Sequence, residues 1–177
     1  MTDKVFEAFL QKQFDEGREL ARNSDILELT PLAGDPPRHY VAEFNCKGLV
    51  QDKAGQIVEF DQFVVGIWLP EDYLRRVHVG MVLSYLGPSP RPWHPNLSPP
   101  AICLEIRPGT PLVDLLYGCY ELWTWHLYNP GHDGFAPAAA QWARQQDSSR
   151  FPVDRRPLKR RTLKFDVTHS EKTEGQA

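Results

Sequence analysis

Cysteine is scarce: three residues in a chain of 177. That number is odd and no two stand at a paired spacing, which argues against a disulfide-stapled framework. With no N-terminal apolar segment of the secretory kind, free thiols and a cytoplasmic location are expected. Long apolar runs are lacking too. Pro, Gly or a charge interrupts every candidate well short of the roughly 20 residues that would cross a bilayer, so no membrane segment is expected. Strong net charge is missing: −3 at pH 7, with a pI near 6.1, gives no global pull towards nucleic acid or anionic lipid. Nor is there a Gly-rich phosphate loop of the Walker type or a dinucleotide fingerprint. No cofactor is expected, and the chain is not expected to carry out an ATP-driven activation itself.

What is present suits one α/β domain. Hydrophobic residues make up 41% of the chain and include five Trp and nine Phe, enough for a core. The domain is expected over residues 1–146, followed by a basic, flexible tail over 147–177. Residues 2–23 read as an amphipathic helix with Phe6, Leu10, Phe14, Gly17 and Ala21 on one face. Lys4, Lys12, Arg18 and Arg22 lie opposite, interrupted by Asp15 and Glu19. That face is either a solvated surface with i,i+4 charge pairs or a docking surface. Segments rich in β-branched and aromatic residues follow at 26–30, 40–50, 57–69 and 79–86, separated by turn chemistry, and predict a four-stranded antiparallel meander. Alternation places Cys46 with Ala42 and Phe44 on the core face.

Six of the sixteen prolines fall between residues 87 and 100. Each removes a donor and restricts its predecessor, so a stiff irregular loop is expected there. After the short apolar stretch 101–106, Pro111 opens a helix whose stripe is Leu112, Leu115, Leu116, Cys119, Leu122, Trp123 and His126. Cys119 is thereby placed in the core. Turn residues from Asn129 to Gly134 end that helix, and a shorter one is expected over 136–146. The tail carries Arg150, Arg155, Arg156, Lys159, Arg160, Arg161 and Lys164 around Asp154. Residues 153–165 could add a short strand or a docking segment. Without interleaved aromatic platforms the basic residues make a weak nucleic-acid site, and specific nucleic-acid binding is not expected.

Packing periodicity accounts for Cys46 and Cys119 but not for Cys103. Its local sequence, Ile102-Cys103-Leu104, fits a buried strand with an inert thiol or a nucleophile held beside a rigid loop. A zinc site from His94, Cys103, Cys119, His126 and His132 matches no ligand spacing of a knuckle or finger, and no metal is expected.

The order of segments decides between these readings. An amphipathic helix, an antiparallel meander, His94-Pro95-Asn96, then Ile102-Cys103-Leu104-Glu105-Ile106 and two helices resemble the ubiquitin-conjugating enzyme (E2) family. That family carries His-Pro-Asn followed by Ile-Cys-Leu-Asp. The resemblance covers residues 2 to about 146 by layout, and its specific part is the dozen residues from His94 to Ile106. The spacing of His94 and Cys103 is one position shorter than in the family. Ser98-Pro99-Pro100-Ala101 stands where the family has a glycine-containing stretch, Glu105 replaces Asp, and no tryptophan lies in Arg107-Pro108-Gly109-Thr110. These departures resemble E2-like proteins of bacterial ubiquitin-like conjugation systems, some linked to antiphage (antiviral) defence.

The resemblance implies the UBC-like fold and an acyl transfer. A ubiquitin-like modifier, activated by an E1-like enzyme, would pass to Cys103 as a thioester and then to an amine of a target protein. Only the thiolate attacks. Asn96 would donate to the oxyanion or brace the loop. His94 and Pro95 would mainly fix that loop. His132 and Asp133 would gate the site and help deprotonate the amine, or serve only their turn. The helix bearing Lys4, Lys12, Arg18 and Arg22 would dock the E1-like enzyme. The alternative is a non-catalytic variant that binds or scaffolds a modifier, although such variants characteristically lose the cysteine.

Overall fold

Asp3 starts the first helix, its carboxylate accepting the N–H groups of Val5 and Phe6. In the computed structural model, which describes residues 3–129 and 131–160, α1 spans Lys4–Arg22 and buries Phe6, Leu10, Gln13, Gly17 and Leu20. The stripe is thus centred on 13 and 20 rather than 14 and 21, with Phe14 and Ala21 only half-buried. A polar residue on the buried face hid this register. Gln13 is there to cap another helix: its Oε1 accepts the Leu112 N–H at 2.7 Å.

The expected antiparallel sheet of four strands is present. β1 (Leu27–Pro31), β2 (His39–Phe44), β5 (Phe63–Trp68) and β6 (Leu83–Gly87) pair in the order β1-β2-β5-β6. Two expected strands, 40–50 and 57–69, each divide. β3 (Gly48–Gln51) and β4 (Ile57–Phe60) form a hairpin that leaves the main sheet and joins β7 (Arg91–Pro92) in the order β4-β3-β7. Gly48 marks the departure, because a Cβ there would come within 2.5 Å of the Phe63 ring and 2.6 Å of the Trp123 carbonyl oxygen. The first part of the expected strand 79–86 is a helical turn, α2 (Val79–Val82).

β8 (Leu97–Ser98) and β9 (Ala101–Ile102) form a small hairpin inside the proline-rich region. α3 (Leu112–Trp123) and α4 (Pro137–Arg144) complete the helices, with a single 3₁₀ turn over Ser148–Arg150. No helix among the described residues is long and apolar enough to cross a membrane.

The main core joins the sheet to α1 and α3, with Ala42, Phe44, Val65 and Ile67 against Leu115, Cys119 and Trp123. Cys46 and Cys119 are both 0% exposed, as their periodicities predict. A second core gathers Leu49, Trp93, Trp125, Ala139 and Phe151. Trp125 enters it by adopting a left-handed backbone, φ +64°, just past the end of α3. His126, expected on the α3 stripe, therefore lies beyond the helix and is exposed.

Residues 147–160, expected to belong to a flexible tail, are held against the domain. Phe151, Asp154 and Leu158 are buried. Val153 N–H donates to the Thr124 carbonyl at 2.8 Å, and Arg160 N–H to that of Asn23 at 2.7 Å. The segment is basic in composition but carries apolar residues at intervals, and these anchor it. It docks without forming a strand; Arg161, Lys164 and the rest of the expected tail lie outside the described residues.

Candidate active site

Ser98 to Ala101 turn the chain over Pro99 and Pro100, and the register of the small hairpin pairs Leu97 with Ile102. One step further out, Cys103 N–H donates to the Asn96 carbonyl at 2.8 Å. The Asn96 side-chain Nδ2 donates to the Cys103 carbonyl at 3.0 Å. Asn96 and Cys103 are therefore cross-strand partners, and the nine-position spacing of His94 and Cys103 is what a turn this short requires.

Alternation along the strand does the rest. Ile102 is buried and Cys103 half-buried. Leu104 lies over Gly118 of α3, where a Cβ would come within 2.6 Å of it. Cys103 is thus fixed between two anchored apolar neighbours and is itself only half-buried. Burial pushes the other two thiols up, Cys119 to about 12 and Cys46 further still, with the Asp154 charge adding to the effect on Cys46. Both are inert as nucleophiles at neutral pH.

His94 is 1% exposed, and both ring nitrogens are occupied. Nδ1 accepts the Asn96 backbone N–H at 3.0 Å, which puts the proton on Nε2, and Nε2 donates to the Leu127 carbonyl at 2.9 Å. Burial pulls its pKa down to about 3, against the opposing effect of the Leu127 carbonyl. The ring is neutral near pH 7 and has no nitrogen to spare for proton transfer. Its geometry is that of a brace for Asn96.

The loop after α3 is tied to the same segment. Phe135 and Ala136 N–H groups both donate to the Pro95 carbonyl, at 2.7 and 2.9 Å. Gly134, at φ +57°, passes so close that a Cβ would lie 2.4 Å from that oxygen and 3.3 Å from Asn96 Oδ1. His132 and Asp133 are exposed in this loop, and their side-chain partners are local. His132 Nδ1 accepts the Gly134 N–H at 3.0 Å, and Asp133 Oδ1 pairs with Arg144 Nη2 of α4 at 2.8 Å. With Nδ1 engaged as an acceptor, a neutral His132 carries its proton on Nε2. Asp133 keeps a second carboxylate oxygen.

The α1 basic residues Lys4, Lys12, Arg18 and Arg22 are all exposed. Lys12 Nζ lies 3.7 Å from Glu16 Oε1, and the Arg18 guanidinium sits 5.0 Å over the Phe14 ring. Two of the four are thus engaged on the helix itself. The residues weighed as a zinc site are not gathered: Cys119 is in the main core, His94 is used as above, and among the described residues no three potential ligands cluster.

Three contributors were missed by the sequence reading. The Leu127 carbonyl carries no sequence signal, and Trp125, off the apolar stripe of α3, drew no reading of its own. Phe151 alone left a trace, as a large apolar residue in a basic stretch. Comparison of the chain with family models gives no match, and no curated protein matches it.

Proposed function

We propose that this chain is a conjugating enzyme of the E2 type, in the cytoplasm, which carries a ubiquitin-like modifier as a thioester on Cys103. The supporting observation is the cross-strand pair of Asn96 with a half-buried Cys103, in a chain whose other two cysteines burial makes inert. The succession of helix, antiparallel sheet, His-Pro-Asn segment, cysteine and two helices suits the UBC-like fold. Three free cysteines fit a reducing compartment.

In the first step the Cys103 thiolate attacks the carbonyl carbon of the modifier's C-terminal thioester on an E1-like enzyme. A new C–S bond forms, the old one breaks, and the E1-like thiolate leaves. Exposed α1, with Lys4, Lys12, Arg18 and Arg22, is the face we read as meeting that enzyme. In the second step an amine of the target attacks the same carbon. The C–N bond forms, Cys103 leaves as thiolate, and the amine proton passes to Asp133 or water. The Asn96 amide nitrogen has a second hydrogen beyond the one held by Cys103, available to the oxyanion.

Incubation with modifier, E1-like enzyme and ATP should give a reductant-sensitive adduct that Cys103→Ala abolishes and Cys46→Ala and Cys119→Ala retain. An adduct that survives Cys103→Ala would sink the reading. Asn96→Ala should charge nearly normally yet discharge to lysine about 10²–10³-fold more slowly if the amide acts on the oxyanion.

A further inference from the structure

We propose that Phe151 is a positioning residue for the Cys103 site, acting through Trp125 and His94; the inference rests on the conjugating reading of Cys103. The Phe151 ring lies parallel to that of Trp125, with centroids 4.7 Å apart and planes inclined by 14°. Trp125 in turn meets His94 edge-on, at 4.6 Å and 61°. Trp125 thus packs on both, with Tyr128 and Trp142 also against it at 5.5 and 5.9 Å.

The stacking of Phe151 on Trp125 matters because of the backbone that carries Trp125. A residue of this bulk is uncommon at a left-handed φ, and Trp125 holds φ +64° while 1% exposed. That turn swings the chain out of α3 so that two residues later the Leu127 carbonyl reaches His94 Nε2. His94 then holds the Asn96 backbone, and Asn96 holds Cys103. Removing the outer ring takes away one wall that keeps Trp125 in place, and every later link depends on that placement.

The segment bearing Phe151 is itself clamped. Val153 is bonded to Thr124, the residue before Trp125. Asp154 accepts the Lys47 N–H at 2.9 Å and pairs with Arg156 at 2.6 Å. A stretch that composition marks as a basic tail thus supplies a wall to the site.

The test uses the full chain and two readouts: hydrogen exchange of the His94 ring N–H by NMR, and single-turnover discharge of the Cys103 thioester to lysine. Phe151→Ala should speed the exchange and slow discharge by up to about 10²-fold, the size of loss that a misplacement of about 1 Å produces. Phe151→Tyr, which keeps the ring, should restore both readouts, and Phe151→Leu should restore neither fully. Asp154→Asn, which loosens the clamp outside the aromatic stack, should move both the same way by less. Unchanged discharge in folded Phe151→Ala overturns the proposal. So does a loss that Phe151→Leu repairs as well as Phe151→Tyr, because bulk alone would then suffice. Should Phe151→Ala not fold, Phe151→Leu and Asp154→Asn carry the same comparison. If the wild-type protein never charges on Cys103, the conjugating reading fails separately. The exchange readout then decides the coupling, and equal rates in wild type and Phe151→Ala overturn it.

Discussion

His94 shows how a residue type associated with proton transfer can be held out of it. Its ring is kept neutral by burial, with a pKa near 3, while in the unfolded chain it titrates near its ordinary 6.5. Below pH 6.5 the unfolded state therefore binds a proton that the folded state refuses. The contribution is complete above about 6.5 and is lost as the pH falls towards 3, at up to about 1.4 kcal/mol per pH unit. Asp154 acts in a lower window. Burial opposes its charge, but Arg156 and two backbone N–H groups hold it at about 2, so its contribution is lost only below about 3.9. Urea unfolding between about pH 7 and pH 4.5 should show stability falling with pH in the wild type and a flatter profile in His94→Gln. Parallel profiles would remove His94 as the source. Little of this was legible in the sequence. His94-Pro95-Asn96 announced a loop-fixing histidine, but the Leu127 carbonyl that completes its bonding lies 33 positions away and has no side-chain signature.

Elements were legible where one periodicity governed them and illegible where tertiary contact cut across it. The stripe that put Cys119 in α3 is correct because nothing interrupts it before Trp123. The stripe of α1 was read correctly at Phe6, Leu10 and Gly17 but a position off at 14 and 21, because Gln13 faces inward to cap α3, a role visible only once the two helices meet. The β propensity read over 40–50 did not place the break before Gly48, where close approach to Phe63 and Trp123 bars a side chain. The pairing of Asn96 with Cys103 likewise emerges only when the turn at Pro99 and Pro100 closes. Gly134 is the position where such contact is most demanding. Gly134→Ala places a methyl 2.4 Å from the Pro95 oxygen at φ +57° and should cost about 1–3 kcal/mol while freeing the loop that carries His132 and Asp133. Gly55, also left-handed at φ +79° but with no neighbour closer than 4.0 Å, is the comparison. Gly55→Ala incurs the backbone penalty alone, and equal losses for the two in denaturant melts would refute the contact argument.

On the scale of the whole molecule, two cores meet at the end of α3, and the segment 147–160 closes the second. A chain ended after Gln146 loses burial of Phe151 and Leu158, each worth about 1.5–3 kcal/mol, together with the Asp154 clamp. It should unfold at markedly lower denaturant than a chain ended after Arg160, which keeps every contact named above. Equal midpoints would show that the segment only rests on the surface. The bond from Arg160 back to Asn23 also sets an order of events during synthesis. Domains fold as the chain emerges, N-terminal parts first, at about 5–20 residues per second. The sheet and the helices against it can form while later residues are still being added. The ring that covers Trp125, however, waits for residues 151–160 to leave the ribosome. Cys103 and its cross-strand partner Asn96 are thus made before the ring that packs on Trp125, and a nascent chain still attached at residue 146 would carry them with the Trp125 face that Phe151 covers still open.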